Sequence, residues 1–250
     1  MNNDIALAAH YSRRGIPGPG KFGKLTRIVM CSIGLAVVGI LVPCLIHAQD
    51  ARPIVIGHEV KFHSRILQED IALWISAPDT AHSTASGYPV MILLDAEAHF
   101  VHAEGIVQFL SAAGRMPEML VVGIESNNRV RDFTPASSDT SMSGSGGAGK
   151  FLQFMRDELL PFVESHYRTA PYRVLVGHSL GGSLTLDALL TSPQMFNAYF
   201  ILSPNLWWGN DTLVQRLEVF LQKPPKVNAF VYETHTTKES SKNITATAQV

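Results

Sequence analysis

Five short apolar runs recur along the chain: VMILLD at 90–95, MLVVGI at 119–124, VLVGH at 174–178, AYFILS at 198–203 and NAFVYE at 228–233. They are continuous rather than alternating between polar and apolar. Strands covered on both faces read this way, so the pattern predicts a mostly parallel sheet with helices on both sides. Between the runs, apolar residues return at helical spacing. KFLQFMRDELLPFVESHY (150–167) sets Phe151, Phe154, Met155, Leu159 and Val163 on one stripe, and SLTLDALL (183–190) and TLVQRLEVFL (212–221) behave similarly. Strand followed by helix, repeated, predicts a doubly wound α/β sheet whose site lies beyond the C-terminal ends of the strands. EVKFHS and DIALWIS, before residue 80, read as an antiparallel pair at one edge. APDTAHSTASGY (77–88) and TPASSDTSMSGSGGAG (134–149) read as loops.

The N-terminus departs from this pattern. Residues 1–27 carry Arg13, Arg14, Lys21, Lys24 and Arg27 against Asp4, and residues 28–46 hold no charge. Ala48, just beyond it, ends a small-residue site of the kind a signal peptidase cuts. Basic, then apolar, then Ala is the layout of a secretory signal, and 19 apolar residues are also just enough for an uncleaved membrane anchor. Either alternative divides the chain into a leader at 1–48 and a domain at 49–250, and either sends that domain out of the cytoplasm, into the periplasm or beyond, or anchored with the domain outside. Contact with a membrane is expected only through this leader. Both cysteines, Cys31 and Cys44, lie within it, so no disulfide or thiol nucleophile is expected in the domain.

The chain is 46% hydrophobic and 16% charged, with a formal net charge of −1. With no basic excess, nucleic acid is not expected as a partner. The histidines are scattered and no C-x-x-C occurs, so neither a metal nor a cofactor is expected.

Gly177-His178-Ser179-Leu180-Gly181 matches G-x-S-x-G, and it stands where a strand must turn into a helix. That turn is so tight that the residues two before and two after the serine meet, which is why both are Gly. It lifts the Ser179 hydroxyl into the open, and the Leu180 N–H at the helix start faces the place where an oxyanion would form. A competing motif, Gly144-Ser145-Gly146-Gly147-Ala148-Gly149-Lys150, has the spacing of a phosphate-binding loop. Phe151 follows, where Mg²⁺ coordination needs Ser or Thr, and no apolar strand leads in. The stretch is read as a loop capping a helix.

YPVMILLDAEAHF, MLVVGIESNNRVRDFTP, FMRDELLPFVESHYRTAPYRVLVGHSLGG and FILSPNLWW, spread over residues 54–235, together resemble the family named Putative esterase. This is a branch of the α/β hydrolases that includes enterochelin and other siderophore esterases, S-formylglutathione hydrolases and mycolyltransferases. The resemblance implies an α/β-hydrolase fold and hydrolysis of small-molecule esters through an acyl-enzyme. It implies Ser179 as nucleophile and the Leu180 N–H as one oxyanion donor. The Ala96 N–H would be the second, with Ala96 standing where the family has Gly. Arg131 and Asp132 match the family's R-D-x-T-P turn and are read as an ion pair. Trp207 and Trp208 match a Trp pair near the mouth of the site, for packing or substrate contact.

The triad order Ser, acid, His makes Glu239 the nearest match for the acid, with Glu233 behind it. A base is harder to find. His235 is the only histidine after Ser179 and sits where the acid-bearing loop belongs. His178 adjoins the nucleophile but leaves the turn in another direction, and His99 and His102 follow an earlier strand. The chain thus reads as lacking the family's last strand and helix with its histidine loop. Two expectations follow: a serine ester hydrolase, or a silent or weakly active binding scaffold of the same fold.

Overall fold

The computed structural model describes residues 52–79, 86–136, 144–223 and 228–235, and the apolar runs form the sheet at their centre. Its strands are β1 (His58–Ser64), β2 (Glu69–Ser76), β3 (Tyr88–Leu94), β4 (Leu120–Ile124), β5 (Thr169–His178), β6 (Ala198–Leu202) and β7 (Phe230–Thr234). Their order across the sheet is β1-β2-β4-β3-β5-β6-β7. β1 pairs antiparallel with β2, and β2 with β4; every other pairing is parallel. The antiparallel edge and the parallel body are as the patterning predicts.

The helices are α1 (Ala96–Ala112), α2 (Arg129–Phe133), α3 (Ala148–Phe154), α4 (Leu160–His166), α5 (Leu180–Thr191) and α6 (Trp208–Gln222). A π-helical turn, Met155–Leu159, joins α3 to α4. Pro161 lies in the first turn of α4 and has no N–H to give to the preceding turn, which accounts for the widened turn just before it. The predicted stripe Phe151, Phe154, Met155, Leu159 and Val163 is wholly buried. It packs in the larger core, with Ile92 and Leu175 from the sheet and Leu184 from α5. The opposite face holds a smaller core of Leu93, Ala96, Phe100, Val107, Val121 and Val174, covered by α1.

Three elements differ from the sequence pattern. α1 was not legible: its buried positions are Ala96, Phe100, Glu104 and Val107, and an Ala and a Glu disguise the stripe. α5 is buried from Leu180 through Leu189 on all sides rather than amphipathic, because sheet, α2, α3 and α6 enclose it. β7 is not covered on both faces. Phe230, Val231 and Tyr232 are 55%, 45% and 47% exposed, since β7 is the last strand among the described residues.

Val55–Val250 forms one unit and Met1–Ile54 another. The apolar stretch 28–46 and Glu239 lie outside the described residues. Among the described residues no helix is long and apolar enough to cross a membrane.

Candidate active site

Ser179 stands between the end of β5 and the start of α5 with φ 57° and ψ −118°. This lies outside the regions comfortable for an L-residue and costs about 1–3 kcal/mol. The surrounding glycines make the turn possible. A Cβ at Gly177 would lie 2.1 Å from the Gly181 carbonyl oxygen, and one at Gly182 would lie 2.9 Å from the Leu202 carbonyl oxygen. The turn is clamped by the end of β6. The Ser179 N–H donates to the Leu202 carbonyl at 2.9 Å, and the Asn205 N–H donates to the Ser179 carbonyl at 3.3 Å.

Backbone strain marks this edge independently of the motif. Among the described residues, the non-glycine residues with positive φ are Gln68, Asp95, Ser179 and Ser203. The last three follow the C-terminal ends of β3, β5 and β6, which are neighbours in the sheet. Strained residues gather where the surrounding structure holds a site in shape. Leu93 lies opposite Val176, so Asp95 and Ala96 leave β3 level with His178 and Ser179. Ala96 and Leu180 are the first residues of α1 and α5, and first-turn amides have no acceptor within their own helix.

Asp95 is buried, 2% exposed, and its carboxylate is held by Arg129 from α2. Nε meets Oδ1 at 2.6 Å and a terminal guanidinium nitrogen meets Oδ2 at 2.9 Å. Two residues on, Arg131 pairs with Asp132 at 2.6 Å and with Glu69 of β2, and Ser126 Oγ donates to Asp132 at 3.2 Å. Through Glu69, Arg131 thus ties α2 to the sheet. The glycine-rich stretch before Lys150 is turned inward: the Gly147 N–H donates to the Arg131 carbonyl at 2.8 Å, and the Gly146 and Ala148 N–H groups both donate to the Thr134 carbonyl at 3.2 Å. Amides committed in this way do not cradle phosphates.

The four histidines weighed as candidate bases divide into two places. His178 turns onto the α1 face of the sheet, its ring edge-on to His99 at 5.4 Å. His99 in turn meets His102 at 5.2 Å. These three sit in an apolar groove of about 550 Å³, whose floor includes Leu93, Val176 and Phe200. Burial there, and then the neighbouring His178, lower the His99 pKa below the ordinary imidazole value. His235 follows β7, two strands from Ser179, with Nδ1 3.9 Å from Glu233 Oε1. Among the described residues no side chain hydrogen-bonds the Ser179 hydroxyl, and no group of three or more His, Cys, Asp or Glu is arranged to hold a metal. The Trp207 and Trp208 rings lie 5.6 Å apart, tilted by 43°, just after the Ser203–Asn205 loop that clamps the turn.

A family model described as Putative esterase matches residues 64–243. The chain belongs to the Putative esterase family. It is 31% identical over 196 residues to ferri-bacillibactin esterase BesA of Bacillus subtilis, covering 69% of this chain and 66% of that protein. It is 31% identical over 160 residues to the apo-salmochelin esterase of Escherichia coli, covering 58% of this chain and 50% of that protein. The chain therefore spans between half and two thirds of the length of these curated relatives. Among solved structures it is similar to the BES protein of Bacillus cereus, with TM-score 0.71 and 26% identity over 80% of this chain and 82% of the other. An IroE-like serine hydrolase of Shewanella oneidensis follows, with TM-score 0.65 and 27% identity over 77% of each chain. The α/β-hydrolase architecture is thus the one this Putative esterase adopts.

Within this family member, the sheet brings Ser179, Leu180 and Ala96 together at one edge. Arg129 was missed by sequence reasoning. Its partner Asp95 lies 34 residues away, and the only local signal was a second arginine in NNRVRDF.

Proposed function

We propose that this protein hydrolyses carboxylic esters of small molecules with Ser179 as nucleophile. In this reading the Ser179 oxygen attacks the acyl carbon, the oxyanion is met by the N–H groups of Leu180 and Ala96, and the alcohol departs with a proton. Water then releases the acid from the acyl-serine. The observation that carries the reading is the Ser179 backbone at φ 57°, ψ −118°, a strained geometry made possible by Gly177 and maintained at the end of a parallel strand. Relatives named as esterases of ferri-bacillibactin and apo-salmochelin support a siderophore ester as the substrate class.

One observation favours a second reading. With no described side chain hydrogen-bonded to its hydroxyl, Ser179 is a weak nucleophile at neutral pH, and the fold would then bind esters with little or no turnover. A fluorophosphonate probe followed by peptide mass spectrometry separates the two. An adduct on Ser179, with p-nitrophenyl acetate turnover that disappears in Ser179→Ala, is expected. A folded protein that takes no adduct and turns over no ester would establish the silent scaffold instead.

A further inference from the structure

Asp95 breaks two local rules at once. It precedes α1 in the position where an Asp carboxylate ordinarily accepts a hydrogen bond from the first-turn amides, yet its side chain makes no such bond. Its backbone lies at φ 56°, ψ 55°, left-handed space that a Cβ disfavours. The carboxylate turns to Arg129 instead, through two hydrogen bonds of 2.6 and 2.9 Å. Arg129 opens α2, which packs on α5, and its guanidinium lies 6.0 Å from the Phe133 ring centre. The turn after Ser179 reaches the same carboxylate: a Cβ at Gly181 would stand 3.2 Å from Asp95 Oδ2. One buried carboxylate therefore sits where β3, α1, α2 and the nucleophile's helix meet.

Resting on the Ser179 reading, we infer that the Asp95–Arg129 pair is a positioning device for the oxyanion site. It holds Asp95 in the left-handed conformation, and that conformation sets the direction of the next amide, Ala96 N–H. A two-pronged guanidinium–carboxylate pair fixes both position and plane, where a single contact would fix only distance. The site needs that constraint because an oxyanion donor acts only within a few tenths of an ångström of its place. Asp95 and Arg129 are thus positioning residues that act through Ala96 and need not touch the substrate.

The test compares the wild type with Arg129→Lys, Arg129→Met and the double variant Asp95→Asn/Arg129→Met, using p-nitrophenyl acetate. The double variant leaves no buried charge unpaired and keeps the experiment readable where Arg129→Met alone unfolds. Removal of a whole oxyanion donor costs on the order of 10²–10³ in kcat, so a misdirected one is expected to cost about 10- to 100-fold in Arg129→Met and in the double variant, and less in Arg129→Lys, with KM held within about twofold. A kcat within about twofold of wild type in a folded variant overturns the inference. A loss confined to KM also overturns it, and makes Arg129 a substrate contact. Turnover that survives in Ser179→Ala, or its absence from the wild type, sinks the nucleophile reading instead. In that case the crystal structure of the double variant decides: a backbone at position 95 that leaves the left-handed region supports the pair as its cause, and one that stays near φ 56° overturns it.

Discussion

At the scale of single residues, the glycines around Ser179 were readable because their reason is local. Two backbone segments pass within contact distance, and Gly is the only residue that lets them. The distances make this quantitative for Gly177, where a Cβ would meet a carbonyl oxygen at 2.1 Å and Thr185 Oγ1 at 2.5 Å. Neither can retreat, since one is backbone and the other, on a buried helix, is hydrogen-bonded to that same carbonyl at 2.8 Å. Gly177→Ala is therefore expected to destabilise by about 1–3 kcal/mol and to slow fluorophosphonate labelling of Ser179 at least tenfold, since the elbow must open to make room. Gly149→Ala, in α3 with open space around it, is the matched control and should be neutral or stabilising by about 0.5–1 kcal/mol. Urea denaturation of the two variants checks the pair, and a Gly177→Ala protein as stable and as reactive as wild type would contradict the account. The left-handed backbone of Asp95 was not readable in this way. Asp tolerates that conformation, but nothing in LLDAEA demands it; the demand comes from Arg129, in an element the sequence pattern did not announce.

Elements follow the same division between local and distant causes. β3, β4, β5 and β6 were legible because enclosure on both faces leaves a continuous apolar run. α1 was not, because its inward stripe contains Ala96 and Glu104 and because a close approach replaces large side chains there. Gly123 of β4 is that approach: a Cβ on it would stand 2.8 Å from Ala96 Cβ and 2.9 Å from the Phe100 ring. Gly123 thus sets how near the first turn of α1 lies to the sheet, and with it the height of the Ala96 N–H above the edge. Gly123→Ala should push that turn outward, lowering stability by about 1–3 kcal/mol and lowering kcat toward p-nitrophenyl acetate more than it raises KM. Steady-state kinetics beside thermal unfolding checks this. A variant that loses stability with kcat intact would show that the placement of α1 matters to the core and not to the site.

For the whole molecule, the fold class was legible because strand, helix and turn signals agree with one another along the chain, and the motif resemblance over 54–235 agrees with the family match over 64–243. What the pattern misjudged was how much of the sheet is covered. NAFVYE has the composition of an enclosed strand, yet β7 exposes Phe230, Val231 and Tyr232. Phe230 and Tyr232 meet Phe200 at 6.0 and 5.7 Å, so the apolar surface runs on into the groove beside α1. Strand composition reports the environment a segment suits, and coverage is decided by what packs against it. An apolar edge strand with unpaired backbone groups invites pairing with another chain, and a broad apolar surface beside it strengthens that tendency. The described residues show no element covering β7. The exposed apolar side chains of β7 are therefore expected to drive self-association as the protein's concentration rises. Val231→Lys places a charge on the edge at a half-exposed position, where substitution costs about 0.5 kcal/mol or less, and should reduce light scattering while leaving the thermal midpoint within a few degrees of wild type. Equal scattering from both proteins across the same concentrations would mean that β7 is already shielded in solution.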